Sequence, residues 1–212
     1  DGPGKEGSAA LLAELMQKGA GTRDAAAFAE ALESVGAELS VAAGNESLVV
    51  GASFLSKDAD LVLGLLADAL QRPRLDAVEF DQVRTRSIQS IAAAKDSDPR
   101  ALIGEYGDAW LFGGHPYGRP VGGDEESLAA IGPADVRSYF EQQLGGDRLV
   151  LAVVGDFSMA EMRRRVEDAF GGWRKAGAAP PAVPAPAAVK GRRVLLVDKP
   201  GATQTYFWLG NV

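Results

Sequence analysis

The strongest constraint on the fold is a change of hydrophobic period early in the chain. Residues 37–43 alternate, with Leu39 and Val41 on one side; Gly44-Asn45 supplies a turn, and residues 47–55 return. A period of two around a tight Gly/Asn turn predicts a β-hairpin. On both sides of it the apolar residues fall at helical spacing. Leu11, Leu12, Leu15 and Met16 make the apolar face of a helix over 8–18. Phe28, Leu32 and Val35 mark a second helix, capped by Thr22 or Asp24 and ended by Gly36. After the hairpin, residues 58–70 form a very apolar helix that stops before Pro73. Residues 75–95 read as a long helix with Val78, Val83, Ile88 and Ile91 inward, broken by Asp98-Pro99, and 101–112 as another. A hairpin set among helices in non-alternating order predicts an α+β domain, a mainly antiparallel sheet with helices packed on one face.

The second half continues in the same manner. A loop over 113–120 leads to a short helix over 125–130, and Pro133 opens a helix that runs to about Gln143. The unbroken apolar run 149–155 predicts a central strand buried on both faces. Ser158 caps a helix through Phe170. Residues 179–189 are almost entirely Ala and Pro, the composition of an extended, exposed crossing segment. Strands are expected over 193–197 and from Gln204 to Leu209.

At 212 residues the chain can bury a full core. A net charge of -7 without a basic stripe argues against nucleic acid as a partner. With no cysteine, disulfides and thiolate metal sites are excluded, which decides nothing about compartment. No apolar run is long enough to span a membrane, which takes roughly 18 residues.

The first helix is written Gly7-Ser8-Ala9-Ala10-Leu11-Leu12-Ala13-Glu14-Leu15-Met16-Gln17-Lys18-Gly19. It resembles the helix on which the pitrilysin/insulinase zinc peptidases carry their inverted motif, H-x-x-E-H. Aligned on Gly7 and Lys18-Gly19, the first histidine position holds Ala10, the catalytic glutamate position Ala13 and the second histidine position Glu14. A catalytic zinc needs about three protein ligands and an open position for water. Two histidines four apart on a helix share a face, and the glutamate between them serves as general base. Alanine can neither ligate nor accept a proton. The resemblance places the third ligand on a later helix, at Ile88-Gln89-Ser90-Ile91, where there is no carboxylate; Asp81 and Asp96 stand about two turns away in opposite directions. The scaffold is kept and the chemistry is absent: catalytic residues none, metal ligands none.

Further stretches resemble the family in order: Asp1 to Gly7 before the metal helix, Gly36-Ala37-Glu38-Leu39-Ser40-Val41, Lys95-Asp96-Ser97-Asp98-Pro99, His115-Pro116-Tyr117-Gly118-Arg119-Pro120-Val121-Gly122, Val153-Val154-Gly155-Asp156-Phe157, Phe170-Gly171-Gly172-Trp173 and Pro200-Gly201-Ala202-Thr203-Gln204-Thr205. What the resemblance implies is an insulinase- or mitochondrial-processing-peptidase-like fold in which residues 1–212 are one peptidase-like N-terminal domain of a longer two-domain chain. Active members add a peptide as a strand to a sheet edge. That edge is here Leu39, Ser40, Val41 and Ala42, with Ser40 standing where active members have Asn.

Among other candidates, His115 is the sole histidine and stands in a Pro-flanked turn. It reads either as a ligand or acid/base group, or as a loop histidine that bonds backbone ahead of Pro116, with Tyr117 and Arg119 locking the same loop. Arg163-Arg164-Arg165 reads as a docking patch or a solvated helix face. Trp173 is expected to pack on the sheet. Gly113-Gly114 and Gly122-Gly123 follow no strand in a phosphate-binding pattern, and one histidine leaves no Ser/His/Asp triad.

The resemblance implies a non-catalytic subunit of a bacterial two-subunit zinc peptidase, closing a peptide-holding chamber with a zinc-bearing homologous partner and with its own C-terminal half. Zinc is expected on the partner, and the location implied is periplasmic or elsewhere in the bacterial envelope, with the cytoplasm as the other compartment considered. The alternative is a structural scaffold subunit resembling respiratory-complex core proteins. A third is a residual metallopeptidase using Glu14, His115 and a further carboxylate.

Overall fold

A computed structural model describes residues 1–97, 99–179 and 182–212. The chain runs α1 (Ser8–Leu15), α2 (Ala25–Glu33), β1 (Glu38–Ala43), β2 (Leu48–Ser53), α3 (Ala59–Gln71), α4 (Ala77–Ser97), α5 (Pro99–Phe112), α6 (Glu125–Ala130), α7 (Pro133–Gln143) and α8 (Met159–Phe170). It is an α+β fold whose antiparallel sheet, among the described residues, is the β1–β2 hairpin.

Local chemistry explains most element boundaries. The Asp24 carboxylate accepts the Ala27 N–H at 2.9 Å and starts α2, which makes Asp24 rather than Thr22 the cap. Gly36 adopts φ 62° just past α2, a region that L side chains avoid, and the Ala37 N–H returns to the Leu32 carbonyl at 3.0 Å. Asp124 and Ser127 form a reciprocal capping box at the start of α6, with bonds of 2.8 and 2.9 Å. Pro133 occupies the first turn of α7.

The core is built around α1. Its Leu11, Leu12, Leu15 and Met16 are fully buried and share a cluster with Phe80 and Val83 of α4, Leu128 of α6, and Val136 and Phe140 of α7. Leu39, Val41 and Ala43 of β1 and Leu48 and Val50 of β2 turn their side chains into the same cluster, so one face of the hairpin is covered and the other is open. A second cluster packs Phe28 of α2 on Leu65 and Ala69 of α3.

Several expectations are corrected. Val78 is exposed rather than inward. It stands ~200° around α4 from the buried Phe80 at 3.6 residues per turn. The run at 149–155 is not a strand buried on both faces. Leu149 and Leu151 pack on the main core and Val153 on a third cluster with Leu63 and Met162, whereas Val150 and Val154 are 93% and 96% exposed. The segment keeps a period of two but has one covering layer, and no described strand pairs with it. Residues 193–197 and 204–209 likewise form no ladder, and Leu196, Phe207 and Leu209 are exposed. Ser158 precedes α8 without a side-chain capping bond. The expected helix break at Asp98-Pro99 falls partly on Asp98, outside the described residues; α5 begins at Pro99. Of the expected segment 179–189, residues 180 and 181 lie outside the described residues, and 182–189 carry no regular structure and are mostly exposed. Trp173 packs against the main core.

Candidate functional site

Residues ahead of α1 hold its start in place. Gly7, at its start, has φ 98°, and an added Cβ would lie 2.8 Å from both the Gly122 carbonyl oxygen and Leu128 Cδ2. Since glycine offers no capping side chain, the Asp1 carboxylate does the work, accepting the Gly7 and Ala9 N–H groups at 2.9 and 3.0 Å. This cap was not anticipated, because Asp1 reaches it through a loop whose path is not written locally.

On α1 the motif positions are spread over a gradient of burial. Ala10 is half-buried, Ala13 is buried at 2% exposure, and Glu14 faces solvent. The helix packs on α4, where Ile88 and Ile91 lie against the main core. Among the described residues no group of three or more His, Asp or Glu is placed to hold a metal ion. The zinc implied by the fold is therefore not matched by the donors present: two methyl groups and one outward carboxylate stand where two imidazoles and a base would be required.

His115 is not a free ligand. Its Nδ1 accepts the Tyr117 N–H at 3.1 Å, which places the ring proton on Nε2, and Nε2 donates to the Pro184 carbonyl at 2.8 Å. Its ring meets Tyr117 edge-on, with centroids 4.8 Å apart. The Tyr117 hydroxyl donates to Glu46 in the hairpin turn, and Arg119 pairs with Glu6 at 3.7 Å. The loop histidine and its two neighbours therefore lock the loop. Of the arginine run, Arg163 pairs with Glu167 on its own helix at 2.9 Å and Arg165 with Asp60 of α3 at 3.0 Å.

The edge of β1 is defined by its register. β1 pairs with β2 as Glu38–Ser53 through Ala43–Leu48, and the next pair inward to the turn is closed by Gly44 N–H to the Ser47 carbonyl at 2.8 Å. Hydrogen-bonded and non-hydrogen-bonded pairs alternate along an antiparallel ladder. Glu38, Ser40 and Ala42 thus spend their backbone groups on β2, while Leu39, Val41 and Ala43 direct theirs to the other edge. Of the expected edge residues, Leu39 and Val41 present backbone there, and Ser40 and Ala42 do not. The Val41 carbonyl meets one group on that edge, the side-chain amide of Gln17 in the turn after α1, at 3.4 Å. Gln17 was not singled out from sequence. The signal was available: it lies four residues after Ala13, one turn on and just past the end of α1. An open cleft of about 420 Å³ lies elsewhere, bordered by Arg23, Asp60, Asp68, Arg72 and Asp168, and none of α1 or β1 lines it.

Comparison with known proteins identifies this arrangement. The family model described as insulinase (peptidase family M16) matches residues 1–125, and that described as the peptidase M16 inactive domain matches residues 130–211. The chain belongs to the M16 insulinase family. A zinc protease of Mycobacterium leprae is 32% identical over 96% of this chain and 46% of its own length. The mitochondrial-processing peptidase subunit beta of Lentinula edodes is 26% identical over 77% of this chain and 35% of its own length. Among solved structures, the peptidase M16 inactive domain from Pseudomonas fluorescens superposes with TM-score 0.77 at 22% identity, covering 86% of this chain and 44% of that one. The periplasmic protease PqqL of Escherichia coli gives TM-score 0.75 at 18% identity, covering 89% and 21%. The chain thus spans less than half the length of these M16 relatives. No helix among the described residues is long and apolar enough to cross a membrane.

Proposed function

We propose that this M16 domain is the N-terminal half of a non-catalytic subunit in a two-subunit zinc peptidase, in which it walls a peptide-holding chamber opposite a zinc-bearing homologue. One observation carries the reading: the helix that would supply two ligands and the base presents Ala10 and a buried Ala13, with Glu14 turned to solvent. A relative whose name marks it as a subunit, the mitochondrial-processing peptidase subunit beta, supports assembly with a second M16 chain. Residues 1–212 act as one domain, with 179–189 as a crossing segment, and the edge of β1 within Leu39, Ser40, Val41 and Ala42 receives extended peptide through the backbone of Leu39 and Val41. Zinc resides on the partner. A location in the bacterial envelope is supported by the periplasmic relative alone.

A second reading, a scaffold subunit, is favoured by the exposed apolar residues Val150, Val154, Leu196, Phe207 and Leu209. One experiment separates the two. Unstructured peptides are incubated with the full-length protein alone, with an H-x-x-E-H homologue encoded beside it, and with both, while zinc is quantified on each chain. Cleavage that needs the mixture, with zinc on the partner, is expected. Cleavage by this protein alone with one zinc bound overturns the proposal, and silence in all arms favours the scaffold.

A further inference from the structure

The free edge of β1 is already touched from within. Val41 and its neighbours Leu39 and Ala43 direct backbone groups away from β2, and among the described residues no hydrogen bond engages their N–H groups. The Val41 carbonyl is engaged by Gln17 Nε2 at 3.4 Å, while the other hydrogen of the same amide reaches the Ala13 carbonyl at 3.1 Å. Both bonds are part-buried. Gln17 stands in the turn that follows α1, so the bond to Ala13 ties the amide to the end of that helix. A neighbouring strand lies about 4.8 Å away and brings a backbone N–H to about 2.9 Å from the carbonyl it joins. The Gln17 amide stands in that donor's place.

We propose that Gln17 is a built-in competitor for strand addition at β1, holding the Val41 carbonyl until an incoming backbone N–H displaces it. The inference rests on the peptide-holding reading above and adds a regulatory element to it. Gln17 is a positioning residue in this account. Its anchorage through Ala13 ties the control of the edge to the helix that lacks the metal motif. Displacement costs one modest hydrogen bond, so removing the competitor tightens peptide binding roughly five-fold.

The test uses the full-length protein and a fluorescein-labelled, unstructured Ala/Ser/Val decapeptide, read by fluorescence anisotropy. Gln17→Met keeps the length and helix preference but removes the donor, and Gln17→Ala removes the side chain. Thermal melts confirm that each is folded. Hydrogen exchange at the Val41 amide, on the same edge, gives a second readout: peptide must protect it in every protein that binds. Tighter binding of both variants, with Val41 protected, is the expected result. If wild type binds with Val41 protected and both variants bind equally or more weakly, the competitor is overturned while the chamber reading stands. If neither wild type nor variants bind, or binding leaves Val41 unprotected, both fall.

Discussion

Ala13→Glu would restore the residue type that the M16 motif expects, and the structure says that it will harm the protein. Ala13 is 2% exposed and belongs to the main core cluster with Leu12, Met16 and Phe80. A glutamate adds a side chain longer than the site holds, and overpacking a core costs about 1–3 kcal/mol. Its carboxyl also leaves water without a built partner, which costs about 1–3 kcal/mol by mutational experience. Together these come to about 2–6 kcal/mol against a total stability of about 5–15 kcal/mol for a domain. At roughly 2–4 °C per kcal/mol for a chain of this size, the melting temperature falls by roughly 4–24 °C. Burial raises the pKa of the new acid in the folded state. The folded form then favours the neutral acid, so the loss is largest above that raised pKa and shrinks as the pH falls toward the unfolded value of about 4.3. Thermal melts of wild type and variant across this range read both effects. An unchanged melting temperature at neutral pH would mean that position 13 opens to solvent and that the motif face is not sealed, refuting the structural basis of the non-catalytic reading.

Phe28→Ala should cost about 3–5 kcal/mol, since the ring is 1% exposed between α2 and α3, and urea unfolding should show the midpoint drop without a change of slope. The backbone bond from Ser127 holds the Asp124 carboxyl below its ordinary range, so its contribution is present above the unfolded pKa of about 3.9 and lost as the pH falls through the folded one. Asp124→Asn, which keeps the capping acceptor without the titration, should flatten the fall in melting temperature over that acidic window; an unchanged profile would refute the assignment.

What was legible in the sequence was local. The candidates for the cap of α2 announce themselves by type, as do Pro133 at the start of α7 and the Gly44 turn, because their chemistry acts within a few residues. What escaped depended on which layers meet. Residues 149–154 are apolar on both sides of a two-residue period, and nothing in that pattern tells whether the second side is covered; Val150 and Val154 lie bare. Val78 is apolar but on the wrong side of α4, a matter of where the partner helices stand. Gln17 and Asp1 act on targets 24 and 6 residues away, at positions that only the packed α1 defines.

The loop over 113–120 is a clasp joining three distant segments. His115 grips Pro184 in the Ala/Pro-rich stretch, Tyr117 grips Glu46 at the hairpin tip, and Arg119 grips Glu6 at the approach to α1. The stretch around Pro184 is therefore tied to this loop. A pull on Pro184 is transmitted through one imidazole to a neighbour two residues on, and from there to the turn that sets the register of β1. Through that loop the sole histidine links the stretch around Pro184 to the turn that joins β1 to β2.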